Sequence, residues 1–217
     1  MDRLTHAASG LSEVDYKTLA GLSTPDKIQT FLNELPRNFE EDGATCMSPR
    51  AALRERKALC IEGAMLAATA LWIHGEPPLI MDLSARLGRG DVDHIVALFR
   101  RGRYYGAISK TNRPVLRFRD PIYRTPRELA LSYFHEWFLY TTGEKTLECY
   151  SRPLNLSSRF GTSWISNEGN VWEVADALAS LKHYNLVPKG YWRYIRPVDP
   201  LQLKAGAITE WPEPNEH

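Results

Sequence analysis

The stretch Leu59-Cys60-Ile61-Glu62-Gly63-Ala64-Met65-Leu66-Ala67-Ala68-Thr69-Ala70-Leu71-Trp72-Ile73-His74-Gly75 decides how this chain is read. Ile61, Ala64, Met65, Ala68, Leu71 and Trp72 recur at the three- and four-residue steps of a helix, and alanines fill the faces between them. A helix apolar all round is a buried one. Gly75 stops it and Pro77-Pro78 forces extended chain. The thiol of Cys60 therefore stands in the first turn of a buried helix. There it faces unpaired main-chain N–H groups and the positive end of the helix dipole, both of which favour thiolate. Glu62, in the same turn, opposes thiolate if close, and is read as a partner of the dipole.

Downstream, residues 79–83 form a short strand, 84–92 a loop with Gly88 and Gly90, and 94–109 a hairpin. With its turn centred on Arg101-Gly102, paired residue numbers sum to 203, which sets His94 opposite Ser109, Val96 opposite Ala107 and Leu98 opposite Tyr105. Both faces of the hairpin are largely apolar, so it is covered on each side. His94 thus lies inside with Ser109 beside it and Asn112 just beyond. A thiol nucleophile, an imidazole base and a polar group to orient it are the parts needed for acyl transfer. Register favours Ser109 as the orienter and chemistry favours Asn112. Asp93 and Asp120 are the nearest carboxylates in sequence, with Asp93 directed away from His94.

Upstream, Thr24-Pro25 caps a helix carrying Ile28, Phe31, Leu32 and Leu35 and ended by Pro36; residues 1–23 wrap loosely. A second helix spans about 49–56. Beyond the hairpin, 115–118 is extended, Thr125-Pro126-Arg127-Glu128 is a capping box opening a helix to about Tyr140, and 141–170 is irregular. A last helix covers 172–183, and the tail from Pro188 is a wrapping arm.

The 217 residues suit one domain, with a core at about 24–140 and a C-terminal extension at 141–217. Hydrophobic residues at 43% and charged ones at 24% are ordinary for a globular chain with a core. Three cysteines, Cys46, Cys60 and Cys149, without a CxxC pair speak against a disulfide framework and exclude a four-thiolate zinc site. A zinc site from Cys60, His74 and His94 lacks ligand spacing, and no metal or cofactor is expected; His74, His135 and His183 are read as structural. The apolar run 64–73 is about ten residues, short of the roughly 20 that span a bilayer, and the first eleven residues do not form a signal peptide. A cytoplasmic protein with reduced thiols and no membrane partner is the expectation.

The net charge of +1 conceals nine basic residues against one acidic between 100 and 127. One reading of this segment is hairpin tips in solvent and salt bridges to the acidic flanks. The other is a rim that attracts an anionic substrate, with Arg117 and Arg119 as its binding residues. No nucleic-acid-binding module accompanies the arginines.

Leu59-Cys60-Ile61-Glu62-Gly63, then Leu71, Gly75, Pro77 and a strand, resembles the nucleophile helix of the transglutaminase-like superfamily. Asp93-His94, Ala97, Phe99, Gly102 and Tyr104-Tyr105 resemble its histidine hairpin, and the stretches 106–112 and 119–123 are similar to an uncharacterised bacterial branch. The resemblance covers roughly residues 50–120. It implies an α+β fold, transglutaminase-like or papain-like, with the nucleophile helix packed on a small antiparallel sheet among flanking helices. It also implies a Cys60–His94 pair acting on a peptide or small amide or acyl substrate through a thioester. Where the superfamily usually carries Asp as the third member, this chain has Ser109. That departure supports the alternative of a catalytically weak or inactive binding module.

Overall fold

The computed structural model describes residues 2–41 and 43–212. Five helices come first: α1 (His6–Ser9), α2 (Glu13–Gly21), α3 (Pro25–Glu34), α4 (Pro49–Glu55) and α5 (Cys60–Ile73). Thr5, Ser12, Thr24 and Ser48 cap the first four, each side-chain oxygen accepting a main-chain N–H of the first turn. The caps at Thr5 and Ser12, with Leu4, Leu11 and Leu19 buried beneath, make two short helices of a segment expected to wrap loosely. Pro25 and Pro49 sit at the first helical turn, where their missing N–H costs nothing.

The chain then builds a mixed α/β architecture on one antiparallel sheet of seven strands: β1 (Leu79–Ala85), β2 (His94–Arg101), β3 (Tyr104–Ile108), β4 (Arg119–Tyr123), β5 (Leu147–Ser151), β6 (Leu154–Asn155) and β7 (His183–Asn185). Their order is β4-β3-β2-β1-β5-β7, with β6 pairing beside β5 on β1. The sheet is larger than expected, because residues after 140 supply three of the strands and two of them, β5 and β6, pair with the central β1.

Alternation along β1 sorts the core. Ile80, with Ala97, Phe99 and Ile108, faces α5, whose small side chains let it pack closely on β2 and on α2, α3 and α4. Met81 and Leu83, with Val96, Leu98 and Ala107, face the other way. They are covered by α6 (Pro126–Leu131) and by Tyr133, Phe134 and Trp137 beyond it. α6 stops nine residues short of Tyr140: Ser132 turns its hydroxyl back onto Leu129 O and takes a hydrogen bond from Arg119 Nε. Later come α7 (Leu156–Phe160), α8 (Trp172–Ala179) and α9 (Pro200–Gly206). α8 ends before His183, which lies in β7 instead, and α9 stands inside the expected arm; residues 213–217 of that arm lie outside the described residues. Among the described residues no helix is long and apolar enough to cross a membrane.

The β2–β3 hairpin corrects the expected register. Arg101 pairs with Tyr104 and Ala97 with Ile108, so paired numbers sum to 205. The reason is the turn. Gly102, at φ +60°, takes the first central position of a two-residue loop, a place that demands positive φ. A shift of two residues leaves every side chain on its expected face.

Candidate functional site: a cysteine and a histidine on one cavity

Cys60 begins α5 with Leu59 as its N-cap. Leu59 has no side-chain oxygen to offer, so the helix start is satisfied differently. Glu62, fully buried, accepts from the N–H of Leu59 (2.6 Å) and of Met47 (2.9 Å) and from Thr45 Oγ1 (2.7 Å). It ties the loop before α4 to the start of α5. Gly63 permits a second close approach: a Cβ there would lie 2.3 Å from Lys110 Cβ. Lys110 is itself buried, donating from Nζ to the carbonyls of Leu32 (2.9 Å) and Leu35 at the end of α3.

The half-buried thiol of Cys60 receives the main-chain N–H groups of Ile95 and Ile61. Burial pushes it above the ordinary thiol range. The two N–H groups pull it down without overcoming that, and the charges of Asp82 and Glu62 act in the same sense as burial. The expected thiolate is therefore not favoured in the resting site: desolvation outweighs the helix terminus.

His94 opens β2 on the face opposite α5, its ring edge-on to Trp137 with centroids 5.9 Å apart. Its Nε2 and Ser109 Oγ are hydrogen bonded at 2.5 Å. In the observed register Ser109 is diagonal to His94 rather than opposite, and still on the same face. Burial, with the positive charges of Arg119 and Arg37, lowers the imidazole to about 4, so it is neutral near pH 7. Among the described residues no hydrogen bond joins the Cys60 thiol to the imidazole, whose Nε2 is taken up by Ser109.

Cys60 and His94 line one cavity of about 540 Å³. Asn112 lines it too, but its amide is engaged elsewhere: Nδ2 donates to Trp211 O (2.9 Å) and Oδ1 accepts from Trp211 N–H (2.8 Å). Asn112 thus anchors the C-terminal segment, and Ser109 is the group on the imidazole. Asp93 gives its carboxylate to Ala85 N–H (2.8 Å), and Asp120 is exposed on β4.

Arg117 and Arg119 stand outside the cavity lining. Arg117 forms an ion pair with Glu210. Arg119 pairs with Glu136 (2.5 Å), lies 4.1 Å over the Tyr133 ring and donates to the carbonyls of Val115 and Phe118. Both are held by protein partners, as the salt-bridge reading of the basic segment expects, and Arg119 reaches the site only through its field on His94. The cations that do line the cavity are Arg37, Lys110 and Arg113, set against Glu40, Asp91 and Asp93.

Sequence reasoning missed Gln29. From α3 it accepts the N–H of Ser109 at Oε1 (2.9 Å) and donates from Nε2 to Ser109 O (2.8 Å), clamping the main chain just past the end of β3. The signal was present: Gln29 adjoins Ile28 on the buried side of an amphipathic helix, where a polar side chain needs a partner. Among the described residues no group of three or more His, Cys, Asp or Glu is gathered so as to hold a metal ion. Comparison of the chain with protein-family models and with curated proteins finds no match to either.

Proposed function

We propose that this chain is a cysteine-dependent acyl-transfer enzyme with a transglutaminase-like or papain-like arrangement, acting on an amide or related acyl bond. One observation carries the reading: His94, oriented through Nε2 by Ser109, lines the same cavity as Cys60 at a helix start. With Nε2 occupied, Nδ1 is the ring nitrogen left to exchange a proton. Cys60 Sγ attacks the carbonyl carbon as its proton passes to His94. The N–H groups around the sulfur, those of Ile61 and Ile95, supply hydrogen bonds for the negative charge that develops. His94 then protonates the departing amine, and water or an amine resolves the thioester.

The neutral ground state and the hydroxyl in place of a carboxylate make this a slow enzyme. The same two features favour the second reading, a binding module that retains the arrangement with little turnover. Reaction with p-nitrophenyl acetate, followed by intact mass and peptide mapping, separates the two. The enzyme reading expects one acetyl group on Cys60, absent in Cys60→Ala and formed about 100-fold more slowly in His94→Ala. The module reading expects Cys60 to react no faster than a free thiol and no differently without His94.

A further inference from the structure

A smaller cavity, of about 380 Å³, opens on the opposite face of the sheet from His94; there Asp82 and His183 are paired with each other, and Cys149 lines the same space. The larger cavity, shared by Cys60 and His94, holds a cation that no acid pairs with. Arg113 lines it from the segment after β3, its guanidinium carbon 3.8 Å from the centre of the Tyr140 ring, which lines it too. That stacking and a hydrogen bond from Nη1 to Ala207 O fix the plane of the fork. Among the described residues no carboxylate pairs with Arg113, and Nε and Nη2 make no hydrogen bond. Both nitrogens are reachable: the buried polar atoms left without a partner include Arg117 Nε and Trp211 Nε1 but neither nitrogen of Arg113. A guanidinium stays charged at any physiological pH. Its Nε–Nη2 edge carries two parallel N–H bonds at the spacing of carboxylate oxygens.

We propose that this cavity takes a carboxylate on the Nε–Nη2 edge of Arg113, so that the substrate of Cys60 is an acyl compound bearing a second, free carboxylate. The inference rests on the acyl-transfer reading and names its substrate class. Other charged groups on the wall are engaged. Lys110 donates from Nζ to the carbonyls of Leu32 and Leu35, and Arg37 lies over the Phe39 ring. Asp91 accepts from Val92 N–H (2.9 Å), Trp137 Nε1 (2.9 Å) and Thr146 Oγ1. Asp93 accepts from Ala85 N–H (2.8 Å) and Glu40 from Thr45 N–H (2.6 Å). A planar carboxylate is matched by two parallel donors, whereas a phosphate presents three acceptor oxygens. Leu116, Trp137 and Phe138 give an apolar wall to the methylenes between the carboxylate and the reacting carbonyl.

Two measurements separate the site from the reaction. Glutarate, its uncharged isostere glutaramide and inorganic phosphate, each titrated at constant ionic strength into the full chain carrying 15N-labelled tryptophan, report occupancy through the Trp137 indole. A saturable shift is expected with glutarate, with the other two binding at least about tenfold more weakly. Arg113→Gln should bring glutarate and glutaramide level, while Arg117→Gln, outside the cavity, should keep them apart. If Arg113→Gln fails to fold, the wild-type comparison decides the matter. In the reaction, p-nitrophenyl hydrogen adipate should acylate Cys60 with a kcat/KM at least about tenfold above that of p-nitrophenyl hexanoate, which lacks the carboxylate. Glutarate preference without acylation by either ester would remove the acyl-transfer reading and uphold the carboxylate site. Acylation by both esters at equal rates, glutaramide or phosphate binding as tightly as glutarate, or a preference that a folded Arg113→Gln variant retains or Arg117→Gln abolishes, would each overturn the proposal.

Discussion

His94 and His183 lie on opposite faces of the same sheet, and each is the counterpart of what the other lacks. The neighbouring pairs Leu83↔His94 and Asp82↔Ile95 turn His94 toward Trp137, and Asp82 with its partner His183 toward α8. His94 shares a cavity with a cysteine at a helix start but holds only a hydroxyl, in the field of Arg119 and Arg37. His183 holds a carboxylate at 2.9 Å, yet the thiol on its cavity, Cys149, is raised by burial and tied to Ser84. A carboxylate can favour imidazolium and fix its tautomer; a neutral hydroxyl can do only the second. A shared cavity with the candidate nucleophile and pairing with an acid have been divided between the two faces of one sheet. On the proposed acyl-transfer reading, the imidazole on the Cys60 cavity would be a base that takes a proton only transiently.

The largest expected effect is on Cys60 acylation. His94→Ala should slow it about 100-fold, while His183→Ala leaves it unchanged, measured as p-nitrophenolate release in stopped flow. Equal losses in the two variants would mean that the faces act as one site. Acid stability is the next discriminator. Folding lowers His94 from 6.5 to about 4, so the folded state favours the neutral ring. The resulting stability is full above pH 6.5 and is lost as pH falls toward 4, by up to about 3 kcal/mol. Urea midpoints across that range should fall for the wild type, and His94→Gln should flatten this part of the profile. A profile that His94→Gln leaves untouched would place the titration elsewhere.

How legible these two faces were depends on how far each side chain's partner lies along the chain. α5 showed itself in a continuous apolar run with Gly75 behind it, and the hairpin in two β-prone runs around Gly102. The register slipped by two because Gly102 occupies the first turn position, and parity kept Ser109 with His94. Where partners are distant, spacing carries no signal. Asn112 meets Trp211 ninety-nine positions away, and Asp82 meets His183 after a further strand has been added to the sheet. Gln29 and Ser109 are eighty apart. The thiolate expectation failed for another reason: a helix start was visible in sequence, but the burial that raises Cys60 arises only when the folded chain closes over it, with Ile95 of β2 beside it.

Gly63→Ala moves the hydroxyl face without altering its chemistry. The new methyl group would meet Lys110 Cβ at 2.3 Å, and Lys110 cannot easily withdraw because its Nζ is bound to Leu32 and Leu35 at the end of α3. Overpacking of this kind costs about 1–3 kcal/mol. Thermal unfolding should show it, with acylation falling as the adjoining Ser109 is displaced from His94. Unaltered stability would mean that the segment after β3 yields freely, and that Ser109 is less firmly placed than its bonds to Gln29 suggest.

The smallest effect is the most specific. Ser109→Ala removes one hydroxyl from His94 and leaves both main-chain bonds to Gln29 in place, so the fold should persist. A neutral hydrogen bond is worth about 1 kcal/mol, or roughly fivefold in rate. Acylation should slow by that amount, because the ring then samples orientations in which Nδ1 no longer meets the thiol proton. Asp82→Asn, the matching change at His183, should leave acylation intact. A loss much beyond tenfold would show that Ser109 does more than orient, and that the hydroxyl stabilises charge on the ring as a carboxylate does.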